Sequence, residues 1–217
     1  MKKCIILANG KSTSKRVIDF VKSKGYSTII CADGGANSAF KLGLVPDFII
    51  GDLDSIKPEV LKFYSDKSTI IHIKKQIDTD VEKCLKFAIK KKFTDVVLIG
   101  VTGDRLDHTI GNLSIVLKFY DKIQCKIIAD NSFLLPTNKS ITLRSKIGET
   151  ISIFGFNKKT KITSFGLKYP LKNSSLPFGE KESTSNEASK DTVNILVKGG
   201  VIFIIRDFNF IKRNDLI

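Results

Sequence analysis

Asp52 and Asp54 stand one residue apart in PDFIIGDLDSI (46–56), where three apolar residues run into a glycine. Residues two apart in an extended segment point to the same side, so the two carboxylates are expected to converge. Like charges held together repel and raise each other's pKa, and a cation between them removes the conflict. Mg²⁺ suits such a place, being a hard ion that takes oxygen ligands and is commonly held by a few carboxylates together with substrate phosphates. The alternative is a pair of aspartates in a solvated turn. Asp80 is a further candidate functional residue. In QIDTDVEKCL (76–85), Thr79 and Glu82 form a T-x-x-E capping box that accounts for Thr79 structurally. Asp80 has no capping need beyond its favourable place at a helix N-terminus.

Other polar clusters supply positive charge and backbone donors. GVTGDRLDH (100–108) sets Arg105 in a glycine-rich turn at a helix start, with Asp107 and His108 beside it. Arginine is suited to bidentate phosphate contact, while His108 alone reads as a structural hydrogen-bonder rather than a catalyst. ADGGAN (32–37) sends a strand through Asp33, Gly34 and Gly35 into a helix, so N–H groups with no side chain in front of them could face an anion. An ordinary tight turn with Asp33 capping the helix is the other reading. A metal site, backbone donors and an arginine are together the equipment of phosphoryl transfer. GKST (10–13) is not a phosphate-binding P-loop, because the first glycine of that motif would fall on Ile5. It reads as a glycine turn at a strand end, or as a place where a nucleotide approaches closely.

These clusters need a frame. KKCIILANG, STIICAD, DFIIG and DVVLIG read as strands, and they alternate with helical patterns such as Val17, Ile18 and Val21 before Gly25, or Val81, Leu85, Ala88 and Ile89. Strands alternating with helices give a parallel sheet with helices on its faces, and ligands gather at the carboxyl ends of such strands. NGKS, DGGAN, GDLDS, GVTGDRLDH and QIDTD are therefore expected on one rim. After about residue 122 the pattern changes to short β-rich runs separated by turn residues, which suggests a sandwich or barrel. The polar stretch 172–191 between two of them reads as a long loop. The expected fold is α/β: a Rossmann-like parallel-sheet domain over 1–125, then an all-β domain over 126–217.

Composition narrows the function classes. The chain has 217 residues, 42% hydrophobic and 27% charged, enough for one large domain or two small ones with real cores. It lacks a run of about 18 apolar residues and opens on no signal-peptide pattern, so a cytoplasmic location with no membrane contact is expected. Cys4, Cys31, Cys84 and Cys125 are far apart, and with only His72 and His108 beside them no local zinc motif can be assembled. The net charge of +14 raises the question of nucleic acid. However, only five of the 36 basic residues are arginine, and the lysines are spread along the whole length. A lysine-rich solvated surface that steers an anionic substrate is the better reading, and no nucleic-acid partner is expected. A dinucleotide-dependent oxidoreductase would need G-x-G-x-x-G after the first strand, which ILANGKST lacks.

ADGGANSAFKLGLVPDFIIGDLDSI, TDVEKCL and GVTGDRLDHTIGNLSIV, in that order, resemble the thiamine pyrophosphokinase family motif by motif, and the similarity continues through FGLKYPL, TSNEAS and VKGG. The resemblance implies an amino-terminal α/β catalytic domain that binds ATP and a carboxy-terminal β domain that binds vitamin B1. It also implies a homodimer with active sites between subunits. The implied reaction is transfer of the pyrophosphoryl group of ATP to the thiamine hydroxyl, giving thiamine diphosphate and AMP, with Mg²⁺ as cofactor. Carried over by position, Asp52, Asp54 and Asp80 are the implied metal and phosphate carboxylates, and Arg105 with Asp107 the phosphate-proximal pair. Asp33, Gly34, Gly35 and Asn37 belong to the nucleotide and substrate rim, with Gln76, Thr79 and His108 as further contacts. Ser185 and Asn186 are the implied thiamine contacts. Many members read K-D-x-T-D where this chain has Gln76-Ile77-Asp78-Thr79-Asp80, which leaves Lys75 or Asp78 to compensate. Asp54 and Asp107 are both candidates to accept the hydroxyl proton. The chain has no tryptophan, so an aromatic ring stacked on thiamine must be of another kind.

Overall fold

The computed structural model describes all residues except Ser12, Lys75, Gln76, Asp104 and Ile217, and the chain forms two compact units, Met1–Asp130 and Asn131–Ile217. In the first unit, strands β1 (Lys3–Leu7), β2 (Thr28–Ala32), β3 (Phe48–Gly51), β4 (Thr69–His72), β5 (Asp95–Ile99) and β6 (Gln124–Ala129) alternate with helices. These are α1 (Lys15–Ser23), α2 (Gly35–Lys41), α3 (Pro58–Tyr64), α4 (Asp80–Lys90) and α5 (Leu106–Phe119). The strands pair in parallel in the order β6-β5-β1-β2-β3-β4. β1 lies inside the sheet with helices on its faces, and Cys4, Ile5 and Ile6 are fully buried, which is why it reads as an unbroken apolar run. From β1 the chain winds outward through β2, β3 and β4, then crosses back to β5 and β6 on the other side. The order therefore reverses beside β1, where ligand crevices form in such sheets.

α3 and β4 are absent from the sequence reading. α3 is only seven residues long, too short to show a helical period. β4 is an edge strand with Thr69 and His72 exposed, so it lacks the buried run that marks its neighbours. The apolar run after residue 122 is two strands rather than one: Asp130, left-handed at φ +48°, ends β6.

In the second unit, β7 (Ser132–Thr137), β9 (Thr150–Gly155), β11 (Ser183–Glu187) and β13 (Ile202–Asp207) pair antiparallel in the order β11-β9-β13-β7. β8 (Ile141–Arg144), β10 (Lys161–Phe165) and β12 (Thr192–Lys198) form a second antiparallel sheet, β10-β12-β8. Alternate residues Ile151 and Ile153 of one sheet and Val193, Ile195 and Val197 of the other are buried in a shared core. This is the two-layer logic of a β-sandwich. The polar stretch read as a loop contains β11. A short helix α6 (Phe208–Arg213), capped by Asp207 through the Phe210 N–H at 2.6 Å, follows β13. Among the described residues no helix is long and apolar enough to cross a membrane.

Candidate active site

The carboxyl ends of β1, β2, β3 and β5 open onto a cavity of about 990 Å³ in the first unit. Its lining includes Asn9, Asp33, Asp52, Asp80, Lys83 and Arg105. The turns after β1 and β5 continue the sheet past its formal end: Ala8 N–H donates to the Ile99 carbonyl at 2.8 Å, and Gly10 N–H to the Gly100 carbonyl at 2.7 Å. The NGKS and GVTG clusters therefore share one rim. Asn112, one helical stretch further on, is buried and donates to the Val101 carbonyl at 2.7 Å, which fixes that turn from below.

Asp33 is the first of three carboxylates that meet at the other side of the cavity. It sits at φ +39°, in the left-handed region that few side chains occupy. Its backbone is held by donation to the Ile50 carbonyl at 2.9 Å. It does not cap α2: Gly34 occupies the N-cap position without a side-chain bond. Instead Asp33 Oδ2 accepts from Ser55 N–H at 2.9 Å, while Oδ1 is buried without a hydrogen-bond partner. Gly51 lets the carboxylates approach, since a Cβ there would lie 2.6 Å from the Asp33 Cβ and 3.2 Å from Asp80 Oδ1. At Gly35, likewise, a Cβ would run into the Leu7 carbonyl oxygen, so glycine is what allows α2 to start against β1.

One oxygen each of Asp33, Asp52 and Asp80 lies within 4.8 Å of the others. Among the described residues Asp52 Oδ1, like Asp33 Oδ1, is buried with no hydrogen-bond partner. An unpaired buried carboxylate oxygen is costly, and two of them on carboxylates that converge call for a cation with open coordination sites. The donor set, all carboxylate oxygen, fits a hard divalent ion. Asp54 is not one of these three. β3 ends at Gly51, Leu53 turns the chain at φ +65°, and the exposed Asp54 accepts from its neighbour, the Ser55 hydroxyl, at 2.9 Å. The extended segment assumed for the pair stops before it, and Asp52 converges with Asp33 and Asp80 instead.

The same cluster contains a residue that the sequence reading missed. Lys83, one turn along α4 from Asp80, places Nζ 2.8 Å from Asp80 Oδ1 and 3.8 Å from Asp52 Oδ2. Burial alone would lower its pKa, but the Asp80 hydrogen bond and the charges of Asp80, Asp52 and Asp33 raise it overall. Burial, followed by the charges of Asp80 and Asp54, pushes the Asp33 carboxyl up against the opposing pull of the Ser55 N–H. The signal for Lys83 was its spacing: residues three apart on a helix share a face.

Thr79 caps α4 as expected, accepting from Glu82 N–H at 3.3 Å. The Glu82 carboxylate does not close the box and pairs instead with Lys118 at 2.6 Å and Lys86 at 2.8 Å. Lys86 also holds Asp78 at 2.7 Å. Arg105 and Asp107 form an exposed ion pair, with Arg105 Nε donating to Asp107 Oδ1 at 3.2 Å, and that bond holds the Asp107 carboxyl below its ordinary value. Both line the cavity with His108, Thr79 and Gly34. Asn37 is not among the lining residues: its amide clamps the β3–α3 loop, donating to the Ser55 carbonyl at 2.9 Å and accepting from Lys57 N–H at 3.0 Å. Gln76 and Lys75 lie outside the described residues.

In the second unit, Ser185 stands exposed at φ +52° where the β11–β9 register shifts, its N–H donating to Ser152 Oγ at 2.9 Å. Asn186, next to it, is buried and its amide is engaged. Oδ1 accepts from Tyr169 N–H at 3.1 Å, and Nδ2 donates to the Tyr169 carbonyl at 2.7 Å. It therefore fastens the Tyr169 backbone to β11 and leaves the Tyr169 side chain exposed.

Fold and site together define a protein of α/β and β units whose parallel sheet carries an acidic, glycine-lined cavity at its carboxyl rim. A family model described as thiamin pyrophosphokinase, catalytic domain, matches residues 22–129. Another, described as thiamin pyrophosphokinase, vitamin B1 binding domain, matches residues 138–202. Thiamine pyrophosphokinase 1 of Oryza sativa subsp. japonica is 30% identical over 205 residues, covering 81% of this chain and 77% of the relative. Thiamin pyrophosphokinase 1 of Caenorhabditis elegans is 29% identical over 231 residues, covering 98% and 92%. The crystal structure of thiamine pyrophosphokinase from Bacillus subtilis shares the fold, with a TM-score of 0.81 at 23% identity over 95% of this chain and 99% of that one. The chain belongs to the thiamine pyrophosphokinase family, whose members are enzymes.

Proposed function

We propose that the protein transfers the pyrophosphoryl group of ATP to the hydroxyl of thiamine, releasing AMP, with Mg²⁺ bound by Asp33, Asp52 and Asp80. The observation that carries this reading is the convergence of those carboxylates, with two orphan oxygens, on the rim of a chain of this family. Mg²⁺ in that place supplies neutralisation of the polyphosphate charge, the main requirement of such transfers.

The chain's own groups do the positioning. Arg105 is exposed and pairs with the exposed Asp107, so its guanidinium can trade that partner for phosphate oxygens at little desolvation cost. The interlocked turns after β1 and β5 give a rigid floor on which the hydroxyl is aligned with the β-phosphorus, and orientation of this kind accounts for much of the rate gain in such transfers. Asp54 and Asp107 are the candidate acceptors of the hydroxyl proton. Arg105 stabilises the ionised form of Asp107, which makes it a weaker base than an ordinary aspartate.

Ser185, exposed at a bulge of β11, and Asn186, which fixes the Tyr169 segment, are the proposed thiamine side of the reaction. Active sites shared between two copies of the chain follow from the family resemblance, and the four free cysteines suit a cytoplasmic location. Mixing Asp52→Asn and Ser185→Ala homodimers under subunit exchange then restores roughly a quarter of wild-type activity, because half the dimers gain one intact site.

The decisive experiment incubates purified protein with ATP, Mg²⁺ and thiamine and quantifies the products. AMP and thiamine diphosphate in equal amounts are expected. ADP with thiamine monophosphate would overturn the pyrophosphoryl reading.

A further inference from the structure

Lys83 is a cation where lysines are rarely found. Its side chain is 3% exposed, yet the nearest acceptors to its ammonium are two carboxylates of the acidic cluster. An ammonium buried for the sake of the fold is expected to saturate its partners. Here the partners keep oxygens in reserve: Asp52 Oδ1 has no hydrogen bond, and neither has Oδ1 of Asp33, a residue only 2% exposed. The lysine therefore does not neutralise the cluster. Three carboxylates and one ammonium leave a formal charge of minus two, which a single divalent cation balances.

We propose that Lys83 is a positioning residue that holds the Asp80 carboxylate in place and limits the cluster's charge, so that a divalent cation binds weakly to the empty rim and firmly only with polyphosphate oxygens. The inference rests on reading Asp33, Asp52 and Asp80 as the metal site. It gives Lys83 a role in the order of events: a cluster of three unopposed carboxylates would fill with metal before nucleotide arrived, whereas this one favours the metal–nucleotide complex. Lys83 also occupies Oδ1 of Asp80, which leaves the other Asp80 oxygen and the unpartnered oxygens of Asp33 and Asp52 as the positions for metal.

Mn²⁺ serves as a spectroscopic probe, with binding to the nucleotide-free protein read by electron paramagnetic resonance of the free ion. Lys83→Gln is expected to bind Mn²⁺ about tenfold more tightly than wild type, because a unit positive charge beside the ligands is gone. Its turnover with ATP and thiamine is expected to fall at the same time. Lys83→Arg keeps the charge and stays near the wild-type Mn²⁺ affinity. Lys83→Met gives a second reading of charge removal, and circular dichroism verifies that each variant is folded. A lysine that merely supports the fold predicts the opposite sign, since its loss would disorder the carboxylates and weaken Mn²⁺ binding.

The outcomes separate cleanly. If neither wild-type protein with a non-hydrolysable ATP analogue nor nucleotide-free Lys83→Gln shows a Mn²⁺ site that Asp52→Asn removes, the metal reading of the cluster falls and the role of Lys83 falls with it. If that site exists and charge removal at Lys83 leaves Mn²⁺ affinity unchanged or lower, only the role of Lys83 is overturned.

Discussion

In the second unit, Arg206 donates to both oxygens of Glu149, at 2.6 and 2.9 Å, and to the Arg144 carbonyl at 2.7 Å, with both side chains almost sealed from solvent. In the first unit, three carboxylates converge, one lysine pairs with two of them, and two of their oxygens have no partner among the described residues. Both regions bury charge, and the difference lies in what is left over. The Arg206–Glu149 pair is satisfied within the fold, as a structural ion pair must be. The Asp33, Asp52 and Asp80 group keeps acceptors in reserve, which costs stability and has a use only if something else arrives. An orphan oxygen alone does not make a site. Asp95 Oδ1 also lacks a partner, but its carboxylate is paired to Lys126 and sits at the start of β5, away from the carboxyl rim. Convergence of several on the ligand-binding edge distinguishes the first case.

The largest expected effect breaks the satisfied pair. Glu149→Gln leaves the Arg206 charge buried with no counter-ion and is expected to cost about 3–5 kcal/mol, read as a lower urea midpoint. Replacing both partners, Arg206→Met with Glu149→Leu, is expected to recover most of that loss, because no buried charge remains. A double variant as unstable as the single one would show that the pair does more than neutralise itself.

Asp52→Asn does the reverse. It removes one of several crowded negative charges, so the melting temperature is expected to hold or rise. Turnover should fall by about two to three orders of magnitude, the scale of losing a main electrostatic stabiliser. Loss of stability in parallel with turnover would place Asp52 with Glu149 as a structural group and erase the contrast between the two regions.

Legibility in the sequence follows the same division. G-D-L-D, T-D-V-E-K and G-V-T-G-D-R announce themselves because strand ends, caps and glycine turns are local, and the parallel sheet follows from their alternation with helices. What the sequence does not show is set by tertiary neighbours. A helix cap is one of the two readings of Asp33, yet its carboxylate reaches Ser55 across the β2–β3 pair, 22 residues away. Lys83 sits in a charged run that looks solvated, and only the packing of α4 over the strand ends turns it inward. Asn186, a substrate contact by resemblance, falls in a stretch that reads as a loop. That its amide also fastens the Tyr169 backbone 17 residues earlier is not legible, because the pairing depends on β11 being a strand.

Ligand addition sharpens the comparison at intermediate scale. A ligand that binds only the folded protein stabilises by about 2.7 kcal/mol at a hundred times its dissociation constant. Mg²⁺ with ATP should therefore raise the melting temperature, and a chelator should reverse the metal-dependent part. Asp33→Asn is expected to abolish that part, whereas the Arg206→Met, Glu149→Leu double variant should retain it in full. Equal metal responses in wild type and Asp33→Asn would remove Asp33 from the ligand set.

The smallest effect is expected at Thr79, which borders the acidic cluster and has two claims on its hydroxyl. It lines the cavity, and it caps α4 through a bond of 3.3 Å to Glu82 N–H. That bond is long for an N–H donor, so Thr79→Ala should cost about 0.5–1 kcal/mol of stability, the low end for a lost cap. Thr79→Ser keeps an oxygen in the same place and should stay close to wild type. Because the cap sets the direction of the first turn of α4, which carries both Asp80 and Lys83, a small rise in the metal concentration needed for half-maximal rate should accompany the stability loss in Thr79→Ala and vanish in Thr79→Ser. If Thr79→Ala instead loses turnover a hundredfold with its urea midpoint unchanged, the hydroxyl belongs to the substrate rather than to the helix. Thr79 would then join Asp52 among the groups that the fold keeps in reserve.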